Sequence, residues 1–318
     1  MSDGETSKIS YATYIADRFA GFGGDTPREP GQDLVEFPRF MEKLASSGAT
    51  AKYRRPRCVG EIALKDSGPL ETDLANFRKA VDAAKPVEAF MNAASPGVLA
   101  LFQPNDFYPT QDAYLEALGE AMRAEYEAIV GAGFLLQIDA PDFGMGRHTM
   151  YRNASVEDYL SAAARHVEVL NHALRDLPAD RMRMHICWGN YEGPHHHDVP
   201  LERLLPVVIK AKPQALLFEA ANPRHAHEWA VFRAQKVPED KILVPGVLST
   251  TTNYVEHPEL VAERIERFAG IVGRERVIAG TDCGFGTFGG FGPVDPDIAW
   301  LKLASLVEGA RIASSRLF

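Results

Sequence analysis

Arg183-Met184-His185-Ile186-Cys187-Trp188 is a short apolar run with a histidine and a cysteine near its C-terminal end. Read as a strand, it points His185 and Cys187 to one face and Ile186 to the other, because strand side chains alternate. Six more runs have the same character: Cys58–Leu64, Val87–Ala93, Phe134–Asp139, Ala215–Glu219, Ile242–Leu248 and Val277–Thr281. Helical patterns lie between them. Leu70, Leu74, Phe77 and Val81 share one helix face. Thr110 or Asp112 starts a helix reaching Val130, with Gly131 and Gly133 to end it, and Ser155 is placed as an N-cap. Pro258 suits a first helical turn, and Leu260, Ile265, Phe268 and Val272 line a face before Gly273. A last helix is expected from about Pro296 to Leu317.

Repeated strand–helix units predict parallel strands with helical crossovers. A chain of 318 residues built this way is a doubly wound sheet or a (β/α)8 barrel. There is no G-x-G-x-x-G after a first strand and no G-x-x-x-x-G-K-[ST]. Instead, Asp139, His185 with Cys187, Glu219 and Cys283 sit at the C-terminal ends of different strands, as at a barrel mouth. The expected fold is an α/β (β/α)8 TIM barrel, one domain over residues 1–318. The Gly/Pro-rich stretch Gly21–Gly31 is read as a loop.

Composition narrows the function classes. Hydrophobic residues are 46% and charged residues 24%, which excludes disordered, collagen-like and coiled-coil chains. No apolar run approaches the ~20 residues of a membrane helix. Met1-Ser2-Asp3-Gly4-Glu5 lacks the pattern of a signal peptide. Lys plus Arg is 34 against 43 for Asp plus Glu, a net charge of −9. That sign disfavours nucleic-acid and anionic-membrane partners. Cys58, Cys187 and Cys283 are too few and odd in number for a disulfide framework, so a reducing cytoplasm is the simplest expectation.

Histidine and thiolate together suit zinc. Three strand ends offering His185, Cys187, Glu219 and Cys283 would make a tetrahedral set converging on one mouth. The plain alternative is two unrelated core thiols and a salt-bridged Glu219. His195-His196-His197 is read as a solvated loop with one residue reaching the mouth, because consecutive residues do not all face one metal on regular structure. His225 and His227 are a weaker second metal pair. Trp188, Phe285 and Phe288 either cover the barrel or pack near a bound ring.

The segments MHICWGN (184–190), LLFEAANPRHAHEW (216–229), VPGVLSTTTNYVEHP (244–258) and AGTDCGFGT (279–287) resemble, in order, motifs of the cobalamin-independent methionine synthase catalytic domain. LLQIDAPDFGMG (135–146) resembles that family's Asp-ending strand, and SDGETSKISYATYIADRFAGF (2–22) its early Gly-Glu motif. The resemblance implies a TIM barrel with zinc held by His185, Cys187, Glu219 and Cys283. It implies a small-molecule thiol such as homocysteine and a methyl donor such as 5-methyltetrahydrofolate, with Asp139 and Glu5 holding the ammonium of an amino-acid thiol. The pteridine nitrogen leaves poorly unless protonated, so a general acid is needed. His257 is preferred for it, with Asp142 as the other choice. A homo-oligomer is compatible with this reading.

Three departures qualify the resemblance. The family's Gly-Ser-hydrophobic-Pro first strand has no counterpart, so the barrel as written is expected to lack that strand, with Cys58–Leu64 in an inserted hairpin. Ala140 stands where the family carries Glu. Ser249-Thr250-Thr251-Thr252 replaces a histidine expected after the Pro-Gly-Val motif. Two other readings therefore stay open: a thiol alkyltransferase resembling epoxyalkane–coenzyme M transferase, and a non-catalytic zinc-binding protein.

Overall fold

The computed structural model describes the chain except residues 3, 5, 6, 9, 28, 29, 47–54 and 287–291. It begins with α1 (Ile15–Arg18), β1 (Phe19–Gly23), α2 (Gln32–Val35), α3 (Pro38–Ser46) and β2 (Arg57–Leu64). β1 and β2 pair antiparallel as a separate two-stranded sheet, so the run at 58–64 is one arm of a hairpin, as expected. The stretch 21–31 read as a loop needs correcting, because residues 21–23 are the end of β1. Gly21 sits at φ +91°, and a Cβ there would lie 2.6 Å from the Glu61 carbonyl oxygen. The pairing register shifts between Ala20 and Phe22, at this glycine. A bulge of this kind requires glycine, and glycine also erases the apolar alternation that marks a strand.

Helices and strands then alternate: α4 (Gly68–Ala84), β3 (Phe90–Ala94), α5 (Pro96–Phe102), α6 (Gln111–Gly131), β4 (Leu135–Asp139), α7 (Val156–Ala173), β5 (Met182–His185), α8 (Leu201–Val208), β6 (Ala215–Phe218), α9 (Trp229–Ala234), β7 (Ile242–Leu248), α10 (Pro258–Val272), β8 (Gly280–Thr281) and α11 (Pro296–Leu317). β3 to β8 form one parallel sheet in sequential order, curled as a half-barrel. Ser2 bridges Phe90 in parallel, and the Phe90 N–H donates to the Met1 carbonyl, so the first residues run along the outer edge of β3.

The start signals act as expected. Thr110 Oγ1 accepts from the Ala113 N–H, Ser155 Oγ accepts from the Asp158 N–H, and Gly273 ends α10 at φ +92°. α5 escapes a periodicity reading because all seven of its residues are buried, which leaves no polar face. Five strands are shorter than expected: β3 runs over Phe90–Ala94 rather than from Val87, β4 and β6 each lose one residue, and β5 and β8 are cut further. β5 stops at His185, although the Ile186 N–H still donates to the Leu217 carbonyl. β8 keeps only Gly280–Thr281 in the ladder, with Val277 making an isolated bridge to Leu243.

The main core fills the space between the sheet and its helices. A smaller one gathers Val247, Leu248, Val261, Ala262, Ile265 and Ala313 under α10 and α11. Among the described residues, no helix is long and apolar enough to cross a membrane. The register sets the functional end: Asp139 lies beside Ala94 on one side and His185 on the other, at the strand C-termini.

Candidate metal centre at the strand C-termini

Parallel strands joined by crossover helices bring their C-terminal ends to one rim. β5 delivers His185 and, two residues on, Cys187. β6 delivers Glu219 and β8 delivers Asp282 and Cys283. One ligand atom each from His185, Cys187 and Cys283 lies within 4.8 Å of the others. The two sulfurs are 3.1 Å apart, both cysteines are free, and both are buried. The Gly189 N–H donates to the Cys187 sulfur at 3.2 Å.

His185 is held from both sides. One ring nitrogen is 3.5 Å from Asp139 Oδ1, and the other is 3.1 Å from the Asp282 carbonyl. Asp139 in turn accepts from Asn92 Nδ2 at 2.7 Å and Gln137 Nε2 at 3.0 Å. A carboxylate fixing one nitrogen of an imidazole is the usual support for a metal-ligating histidine. Burial resists ionisation of Asp139, but its bonds to His185, Asn92 and Gln137 outweigh this and hold the carboxyl below its ordinary range. Burial likewise opposes the His185 charge, and Asp139 more than offsets it, so the imidazole pKa is raised.

Glu219 stands beside the three converging groups. Its Oε1 accepts from the Trp188 N–H at 2.7 Å and its Oε2 from Asn222 Nδ2 at 2.6 Å. Its charge reaches the thiols. At Cys187 the bond with Cys283 favours the thiolate, but burial and Glu219 prevail and raise the pKa. Cys283 rises well above the ordinary thiol range through its bond with Cys187 and through burial. Two buried thiols and an imidazole facing one point, next to a carboxylate, are a donor set for a borderline divalent cation, which would deprotonate the sulfurs.

The other expected site residues fall as follows. Glu5 and Phe288 lie outside the described residues. His257 is exposed and caps α10, its Nδ1 accepting from the Glu259 N–H at 3.2 Å. It is not among the converging groups. Asp142 is buried, with Oδ1 accepting from Ser95 Oγ at 2.7 Å and Oδ2 2.8 Å from His166 Nδ1. His225 is buried and His227 exposed, so they do not act as a pair. His225 bridges Asp198 and Glu228 and stacks on Trp188 at 4.2 Å between ring centroids. Trp188 donates Nε1–H to the Val199 carbonyl and is wholly buried, so it covers the barrel.

Two features were not legible beforehand. Asp282 accepts the backbone N–H groups of Ala220, Ala221 and Asn222, tying the β6 loop to β8 next to Cys283. Burial and the Glu219 charge push its carboxyl up to about 7 against those three donors. The only sequence signal was its place before Cys283. The second is a buried network at the same rim. Asp33 accepts from Tyr191 and from the His195 N–H and lies 3.4 Å from His148. Its members come from α2 and from the separate stretches after β4 and β5, so no local spacing announces it.

Comparisons with known proteins identify the family and the fold. The family described as "Cobalamin-independent synthase, Catalytic domain" matches residues 97–291, well over half of the chain. A methionine synthase of Thermococcus kodakarensis is 26% identical over 99% of this chain and 78% of that protein. One from Sulfurisphaera tokodaii is 20% identical over 99% of this chain and 77% of its own length. The structure of a B12-independent methionine synthase from Shewanella sp. W3-18-1, in complex with selenomethionine, aligns with a TM-score of 0.73 at 18% identity. That alignment covers 99% of this chain and 82% of that one. The TIM-barrel-like fold is shared with that structure, and the chain belongs to the cobalamin-independent synthase catalytic-domain family.

Proposed function

We propose that this protein transfers a methyl group to the thiol of homocysteine, with zinc held by His185, Cys187, Cys283 and Glu219. The observation that carries the reading is the convergence of one imidazole and two buried thiols at the strand C-termini of a cobalamin-independent synthase fold. Bound zinc would supply the positive charge that turns a substrate thiol into a thiolate at neutral pH.

The chain's own residues supply the rest. Asp139 keeps the His185 ring oriented, and Asn92 and Gln137 keep Asp139 ionised. The same carboxylate, with Glu5, is proposed to hold the substrate ammonium by charge-assisted hydrogen bonds. Glu219 is proposed as the ligand that yields most readily, because its oxygens already have partners in Trp188 and Asn222. The Trp188 indole is wholly buried next to Cys187 in sequence and is held by its bond to the Val199 carbonyl. In the reaction a sulfur–carbon bond forms as the methyl carbon leaves its carrier nitrogen, and that nitrogen takes up a proton. The family resemblance makes 5-methyltetrahydrofolate the first methyl donor to try.

The test is an incubation of zinc-loaded protein with homocysteine and 5-methyltetrahydrofolate, measuring methionine. The reading expects methionine in proportion to enzyme, and none from Cys187→Ser. Zinc-loaded protein that yields no methionine, yet forms a thioether from coenzyme M and an epoxide, would overturn it in favour of the alkyltransferase.

A further inference from the structure

The histidine run divides at one residue. His195 has φ +53°, in the left-handed region that non-glycine residues seldom adopt. The turn sends its ring inward, where Nδ1 lies 2.9 Å from Asp198 and Nε2 3.0 Å from the Tyr191 carbonyl. His196 and His197 are left on the outside with their rings side by side, 4.2 Å between centroids. His195 is the one inward-reaching residue that the solvated-loop expectation allowed, but that expectation gave the other two nothing to face. Consecutive residues do face one point here, because the chain is turning rather than extended.

That point is Glu36. Its Oε2 lies 2.8 Å from His196 Nε2 and its Oε1 2.6 Å from His197 Nε2. The three ligand atoms all lie within 4.8 Å of one another. The residues come from segments about 160 positions apart, so the meeting is a product of the fold. Phe37 packs edge-on against the His196 ring and restricts it. One helical turn before Glu36, Asp33 reaches under the same loop to Tyr191 and the His195 N–H. The backbone around the three donors is thus fixed from beneath by a buried carboxylate.

Two imidazole nitrogens and one carboxylate form a borderline donor set with open positions for water. Metal–ligand bonds are about 2.0–2.2 Å, so donors within 4.8 Å of one another are near enough to share one ion. We propose that Glu36, His196 and His197 form a second, solvent-accessible site for a divalent cation of the zinc, nickel or cobalt class. Occupied, it clasps the end of α2 to the loop that follows Cys187 and Trp188. The site stands independently of what the buried thiols bind.

The test is titration of the untagged full chain, loaded with one equivalent of zinc and freed of excess metal, with nickel chloride, followed by calorimetry. The expected result is a further saturable equivalent in the wild type. It is lost in H196A/H197A, weakened in Glu36→Gln and retained in His227→Ala, which removes an exposed histidine elsewhere. Cobalt titrated in the same way should bind without a thiolate-to-metal charge-transfer band, which separates this site from the buried one. Absence of a further equivalent in the wild type, or its survival in H196A/H197A, would overturn the proposal.

Discussion

Cys187 and Cys283 hold two sulfurs 3.1 Å apart in a buried setting that raises both thiol pKa values. A hydroxyl is deprotonated far less readily than a thiol. Cys187→Ser and Cys283→Ser should therefore each lose most of the bound zinc, read by metal analysis of the purified protein. Glu219→Gln should keep more zinc than either, since thiolate and imidazole are the better partners. Equal loss in all three variants would mean the carboxylate is an indispensable ligand. His257 carries a different expectation. Its Nδ1 caps α10, so His257→Ala should cost about 1 kcal/mol in chemical denaturation, and His257→Asn should restore most of it. A fall in kcat with unchanged stability in the Asn variant would instead return His257 to the role of proton donor. His185, Cys187 and Cys283 were legible because strand alternation and strand ends are local patterns. The partners of Asp139 and Asp282 were not, because they come from other strands and loops across the sheet.

At the scale of elements, two contacts hold the helices in place. Gly309 lets α11 approach α10 closely, since a Cβ there would sit 2.4 Å from the Val261 side chain and 2.8 Å from the Pro258 carbonyl. Gly309→Ala should destabilise by about 1–3 kcal/mol through overpacking, measured by denaturant unfolding. A stabilised variant would show that the two helices can part without cost. Arg18, at the end of α1, bonds Glu125 of α6 and Asp73 of α4, each at 2.6 Å. Arg18→Met leaves the Glu125 charge buried without its partner, an expected loss of about 3–5 kcal/mol. Adding Glu125→Gln should recover part of that loss. Helices with caps and an amphipathic stripe were legible from local chemistry. α5 was not, because its burial on every side removes the stripe, and the glycines of β1 hid that strand.

Over the whole molecule, loops following β4, β5 and β6 meet through buried charge. His225 lies between Asp198 and Glu228, and Asp198 is also 3.9 Å from His148. Burial disfavours the His225 imidazolium, but Asp198 and Glu228 overcome this and raise its pKa from 6.5 to about 10. A raised pKa means the folded state binds the proton more tightly. The stabilisation is complete below about 6.5 and disappears as pH climbs through about 10. Thermal melts of wild type and His225→Gln should accordingly be furthest apart near pH 6 and converge towards pH 10. A gap that widens with pH would show that the ring is neutral in the fold. The order of the parallel strands and the rim they form were legible, because each unit follows the one before it. The meeting of distant loops above that rim was not, since it rests on side chains that no periodic pattern connects.

In the proposed reaction, the imidazole and thiols at the strand C-termini hold a zinc ion that takes up the substrate sulfur. Zinc-edge X-ray absorption on purified protein, before and after saturating homocysteine, tests it most directly. The free protein should show two sulfur ligands with nitrogen around zinc, from Cys187, Cys283 and His185, and one added sulfur once homocysteine is bound. A first shell without sulfur, or one unchanged by saturating thiol, would contradict it.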